Sequence, residues 1–177
     1  MSRPPIICLL APAVLAASTS GYAVTYLTPA QAREEMFPGA AFSETKIKLT
    51  PAQLRAITAK SGVRVRHPDL TAAHTADGAW FLVDEVLGKH EFITYACGID
   101  ARGAVTGIEI LSYRETYGGE IKDARWRAQF AGKTVAAPLK LDLDIKNISG
   151  ATLSCRHITD GVKRLLATHA LVLKDLR

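Results

Sequence analysis

The run "HEFITYACGID", His90 to Asp100, decides how this chain folds. It is rich in β-branched and aromatic residues and ends on Gly and Asp, which is how a strand closing on a turn reads. Two similar runs flank it, "AWFLVDEVLG" (Ala79–Gly88) and "AVTGIEILSYR" (Ala104–Arg114). The separators "GKH" and "DARG" are short, so the strands are expected as a meander of antiparallel neighbours. In the third run Val105, Gly107, Glu109 and Leu111 alternate with Thr106, Ile108, Ile110 and Ser112, and Ile108 and Ile110 mark one apolar face.

Upstream, the phrase "TPAQ" occurs twice, from Thr28 and from Thr50. Thr28 and Thr50 suit the cap, Pro29 and Pro51 the first helical position, and Gln31 and Gln53 can close capping boxes. The first helix should end near "FPGA" and the second at Gly62. Downstream, "KDARWRAQFAGK" (Lys122–Lys133) predicts a short helix. "PLKLDLDI" (Pro138–Ile145) alternates leucines with charges and predicts a half-buried strand. Ile158, Val162, Leu165 and Leu166 fall at helical spacing, predicting a last amphipathic helix with Ser154 as cap and Lys163 and Arg164 on its solvated face. Helices, then a sheet, then a helix predict a single α+β domain. Within it, residues 24–75 are expected as a helical segment and 76–177 as the functional domain.

The first 23 residues read apart from the rest. Arg3 is the only charge before Arg33, "IICLLAPAVLAAS" (Ile6–Ser18) is apolar, and small residues follow up to Ala23. That order of basic, apolar and small residues predicts an export signal over 1–23, and so a periplasmic or cell-envelope protein. A membrane anchor that stays in place, or a buried helix, is the other reading. Hydrophobic residues make up 48% of the 177, and the net charge is +5, with Lys and Arg scattered. That scatter, with no interleaved basic and aromatic residues, argues against nucleic acid as a partner. Cys8 lies in the leader; Cys97 and Cys155 remain, one pair at most and no disulfide framework. No metal or haem spacing occurs, so no metal site is expected.

Chemistry is sought in "NISGATLSC", Asn147 to Cys155. Small residues sit where the last helix begins, and a helix N-terminus with a bare backbone favours an anion such as phosphate. Taken alone, the segment reads more readily as a tight turn with a cap, since small-residue turns are common before helices.

"SGATLSC", followed by "HITDGVKRLL", resembles the flavinylation segment of the FMN-binding domain family, whose members include NqrC/RnfG-type subunits of respiratory complexes. "ILSYRETYGGEIKDARWRAQFAGKT" is similar to the same family's strand, its E-T-x-G-x-G-like loop and the aromatic and F-x-G-K beyond it. The resemblance spans about Ala79 to Leu166. It implies FMN as cofactor, joined through its phosphate to Thr152, with Ser149, Gly150 and Ala151 giving room and backbone donors. Glu115, Thr116, Gly118 and Gly119 match the loop against the flavin ring, where Tyr113, Tyr117 and Trp126 can stack. A flavin transferase of the ApbE type would form the bond from FAD. The implied function is electron transfer between redox partners of the cell envelope, with no catalytic residue of its own. An FMN-dependent reductase, or a module that has lost its flavin, are the alternatives. Lys146 departs from the family, which usually has an acid three positions before the serine; the nearest acid is Asp144.

Overall fold

The computed structural model describes residues 24–176, so the expected leader, residues 1–23, lies outside the described residues. Both capping boxes form. Thr28 Oγ1 accepts from Gln31 N (3.2 Å) while Gln31 Oε1 accepts from Thr28 N (2.9 Å), opening α1 (Pro29–Met36). Thr50 and Gln53 repeat the exchange at 3.2 and 2.8 Å, opening α2 (Pro51–Ser61), which stops at Gly62.

Among the described residues six antiparallel strands make one sheet: β1 (Val24–Thr25), β2 (Ser43–Lys48), β3 (Asp69–His74), β4 (Trp80–Leu87), β5 (Phe92–Ile99) and β6 (Val105–Tyr113). Their order is β1-β6-β5-β4-β3-β2. The expected meander is β4 to β6, with Trp80 opposite Ile99 and Ile93 opposite Tyr113. Residues 24–75 are therefore not helical alone, because β2 and β3 extend the sheet beyond β4. The polar sequence of β2 hid it: this edge strand is mostly exposed and carries Lys46 and Lys48, a charge pattern that keeps an edge from pairing with other chains.

Helix α4 (Thr152–Leu171) lies across one face, packed on β4, β5 and α2. Ile158, Val162, Leu165 and Leu166 meet Leu82, Ile93, Tyr95 and Ile99 in the main core. The contact is close at Gly161, where a Cβ would run into the Tyr95 hydroxyl and come within 2.9 Å of Val86 Cγ1. On the other face α1 seals a smaller cluster of Ala32, Ala73, Phe81, Ala96 and Leu111. Among the described residues no helix is long and apolar enough to cross a membrane.

Three further expectations need correction. Pro138–Ile145 is a compact turn, not a strand. Asp144 supplies the bonds a partner strand would have given: its carboxylate accepts from Leu139 N (3.2 Å), Lys140 N (2.8 Å) and Lys133 Nζ (3.1 Å). The chain doubles back with Leu139 and Asp142 at φ 45° and 62°, and Leu143 is left 68% exposed. Ser154 is not the cap of α4; the helix starts at Thr152 with Ala151 in the cap position, and Ser154 is buried in the first turn. Arg164 is not solvated. It is buried against Asp84, which also accepts from the Tyr95 hydroxyl at 2.8 Å. Burial by itself would lower the Arg164 pKa, but Asp84, with Tyr95 and Asp160, outweighs that and raises it, so Arg164 remains a cation there. The short helix expected within 122–133 is α3 (Ala124–Arg127), with a 3-10 turn on each side.

Candidate functional site

Strand β6 ends at Tyr113, and the chain enters a loop, Arg114–Gly118, that reaches α4. Gly118 makes the approach possible. It is buried at φ 89°, and a Cβ there would lie 2.6 Å from the Tyr113 hydroxyl and 3.3 Å from Ala151 Cα. The Tyr113 hydroxyl donates to Tyr117 O and lies 3.2 Å from Ser154 Oγ, so one side chain fastens the loop to the first turn of α4.

Glu115 works in the opposite direction. Its carboxylate accepts from His90 N (2.6 Å) and Glu91 N (3.0 Å), clamping the β4–β5 turn. Burial alone would raise its pKa, but the Glu91, His90 and Lys89 amides outweigh that and hold the carboxyl below its ordinary value.

These ties enclose a cavity of about 560 Å³ lined by Lys89, His90, Glu115, Thr116, Tyr117 and the α4 start, Gly150 to Ser154. A shallower one of about 410 Å³ adjoins it, lined by Gly118, Gly119 and Glu120 and sharing Thr116, Tyr117 and Gly150. Volumes of this size suit small ligands and cofactors. Seven of the eight residues singled out in the sequence thus line two adjoining hollows. Ser149 is exposed and lines neither.

The lining fits a flat, partly apolar molecule with an anionic end. Tyr117 is 83% and Leu153 40% exposed, an uncovered apolar rim beside the hollow. The first backbone bond at the start of α4 is Cys155 N to Ala151 O at 2.9 Å, so the Thr152, Leu153 and Ser154 amides precede the helical ladder at its positive end. Gly150, at φ 84° with open space where a Cβ would project, leaves the turn bare. Thr152 is exposed, and its Oγ1 accepts from Asn147 Nδ2 at 3.0 Å.

Of the three aromatics expected against a ring, only Tyr117 lines the cavity. Tyr113 is buried as the fastener described above. Trp126 is buried edge-on to Phe130, ring centroids 5.2 Å apart, and donates to Lys146 O at 2.8 Å. Cys97 and Cys155 are buried free thiols, and burial pushes both pKa values up. Among the described residues no cluster of metal ligands occurs. Sequence reading missed Lys89, His90 and Asn147. The first two are brought in by Glu115, whose partners are backbone amides with no signature in side-chain identity.

Comparison with known proteins bears on this site. Residues 88–167 match the profile of a family described as the FMN-binding domain. No curated protein matches the sequence. Among solved structures, the crystal structure of Shewanella oneidensis NqrC superposes with a TM-score of 0.51 at 14% identity, over 73% of this chain and 80% of that one. That likeness is one of fold.

Proposed function

From the premise that residues 88–167 form an FMN-binding domain, with FMN as its cofactor, we propose that the protein is an exported electron carrier whose FMN is esterified to Thr152. It passes electrons between redox proteins of the cell envelope. The observation that carries this reading is the joint lining of one cavity by the Glu115–Tyr117 loop and the exposed Thr152 hydroxyl. FMN supplies the redox chemistry when bound; the protein contributes position, electrostatic setting and access.

The residues divide that work. The Thr152, Leu153 and Ser154 amides and the positive end of α4 stabilise a phosphodiester charge, by ~0.3–1 kcal/mol where exposed. Tyr117 and Leu153 offer apolar surface to a ring, and Glu115 holds the β4–β5 turn that forms the far wall. Attachment is phosphoryl transfer from FAD, catalysed by a flavin transferase. Thr152 Oγ bonds to the flavin-side phosphorus, the pyrophosphate bond breaks, AMP leaves, and the hydroxyl proton passes to the medium. A covalent tether prevents loss of cofactor from a carrier sent away from the cytoplasmic flavin pool.

The test is intact-mass measurement after co-expression with a flavin transferase. The expected product is heavier by one FMN less one water, stays fluorescent on a denaturing gel, and reverts to bare polypeptide in Thr152→Val. A colourless, unmodified wild type that also fails to take up free FMN would overturn the reading. NADH oxidation by the isolated flavoprotein would favour a reductase instead.

A further inference from the structure

Between the Asp144 turn and the start of α4, residues 146–148 are fastened to the α3 region. Trp126 Nε1 donates to Lys146 O (2.8 Å), and Lys146 N donates to Gln129 Oε1 (2.8 Å). The chain then closes a turn through Ala151 N on Ile148 O at 3.0 Å. Across this closed turn Asn147 Nδ2 donates to Thr152 Oγ1, and Asn147 Oδ1 is shut off from solvent with no hydrogen-bond partner.

A buried amide oxygen without a partner costs stability, and an apolar side chain of similar shape would remove that cost. The fold alone therefore does not account for an asparagine here. We propose that Asn147 is a positioning residue, which orients the Thr152 hydroxyl for esterification; this rests on the reading of Thr152 as the attachment point. A threonine hydroxyl otherwise samples staggered rotamers. A donor fixed on one lone pair selects among them and leaves the remaining lone pair to attack phosphorus. Asn147 must be an amide because Nδ2 serves Thr152, and the unsatisfied Oδ1 comes with it.

The acid that the resemblance led to does not take this part. The Lys146 side chain stands exposed where the resemblance led to an acid, and Asp144 is committed to Lys133 and to the amides of Leu139 and Lys140. Since an amide does not take up a proton at neutral pH, Asn147 supplies geometry alone.

The experiment compares wild type, Asn147→Leu and Asn147→Asp as acceptors for a purified flavin transferase with FAD, by intact mass over time and across acceptor concentrations. Asn147→Leu is expected to melt at or above the wild-type temperature, to keep KM within about twofold, and to lose at least about tenfold in kcat. Asn147→Asp, which keeps the shape but has no N–H to donate to Thr152 Oγ1, is expected to stay as slow as the leucine variant. Wild-type kcat in Asn147→Leu would overturn the proposal. Asn147→Asp at the wild-type kcat would overturn it equally, and covers the case in which leucine does not fold. A wild type that is never modified defeats the Thr152 reading itself and this inference with it.

Discussion

Tyr113 Oη stands 3.2 Å from Ser154 Oγ, joining the last residue of β6 to the first turn of α4. The same hydroxyl donates to Tyr117 O, so removing it unfastens the loop and strands two polar groups. Tyr113→Phe is expected to cost about 1–3 kcal/mol in urea unfolding, the scale of a buried group left unsatisfied. Flavin incorporation should fall as well, since the loop and helix no longer share a fastener. An unchanged unfolding midpoint would show that the link is idle.

Arg164 and Asp84 form an ion pair with side chains only 9% and 19% exposed. Removing one partner leaves a buried charge, so Arg164→Ala should lose about 3–5 kcal/mol. Asp84 and Arg164 replaced together by apolar residues of similar volume should recover most of it. Equilibrium denaturation of the single and double variants checks both halves.

Gly161 sits mid-helix, where alanine would ordinarily gain ~1 kcal/mol of helix propensity. Here the added methyl meets Tyr95 and Val86, and overpacking of that kind costs about 1–3 kcal/mol. Gly161→Ala is therefore expected to destabilise, and a raised melting temperature would contradict the close packing of α4 on the sheet.

Glu115 has a folded pKa below its ordinary value. Stability from its clamp is accordingly present above the ordinary carboxylate range, about pH 4.3, and is lost as pH falls through the depressed folded value. Glu115→Gln should be less stable than wild type at pH 7, with the difference shrinking as pH falls through that window. Parallel pH-stability curves for the two proteins would remove the clamp.

Gly118→Ala combines a left-handed backbone with an obstructed Cβ. It should push the loop off α4 and lower flavin occupancy several-fold by absorbance ratio. Gly119→Ala, whose Cβ would meet only the end of Lys122, should change it little.

The sequence was most legible where a local rule suffices. Two capping boxes set α1 and α2, and short turns between apolar runs set β4 to β6. Periodicity misled at Pro138–Ile145, because alternation of leucine and charge reports exposure and not a partner strand, and the Asp144 side chain took the partner's place. Arg164 lies off the stripe of Ile158, Val162 and Leu165, so spacing assigns it to solvent, and only the fold reveals Asp84 opposite it. The site itself became visible through two motifs taken together. Neither specifies that Glu115 grips the backbone of a hairpin far upstream, since amide donors look alike in every residue but proline.

Because β3 pairs with β4 within one continuous sheet, the unit that folds is larger than the stretch that matches the flavin family. A fragment trimmed to begin at residue 76 would present β4 as a raw edge and uncover the α4 flank that α2 shelters, inviting self-association. Anyone borrowing this module as a portable redox part has to carry its front third along.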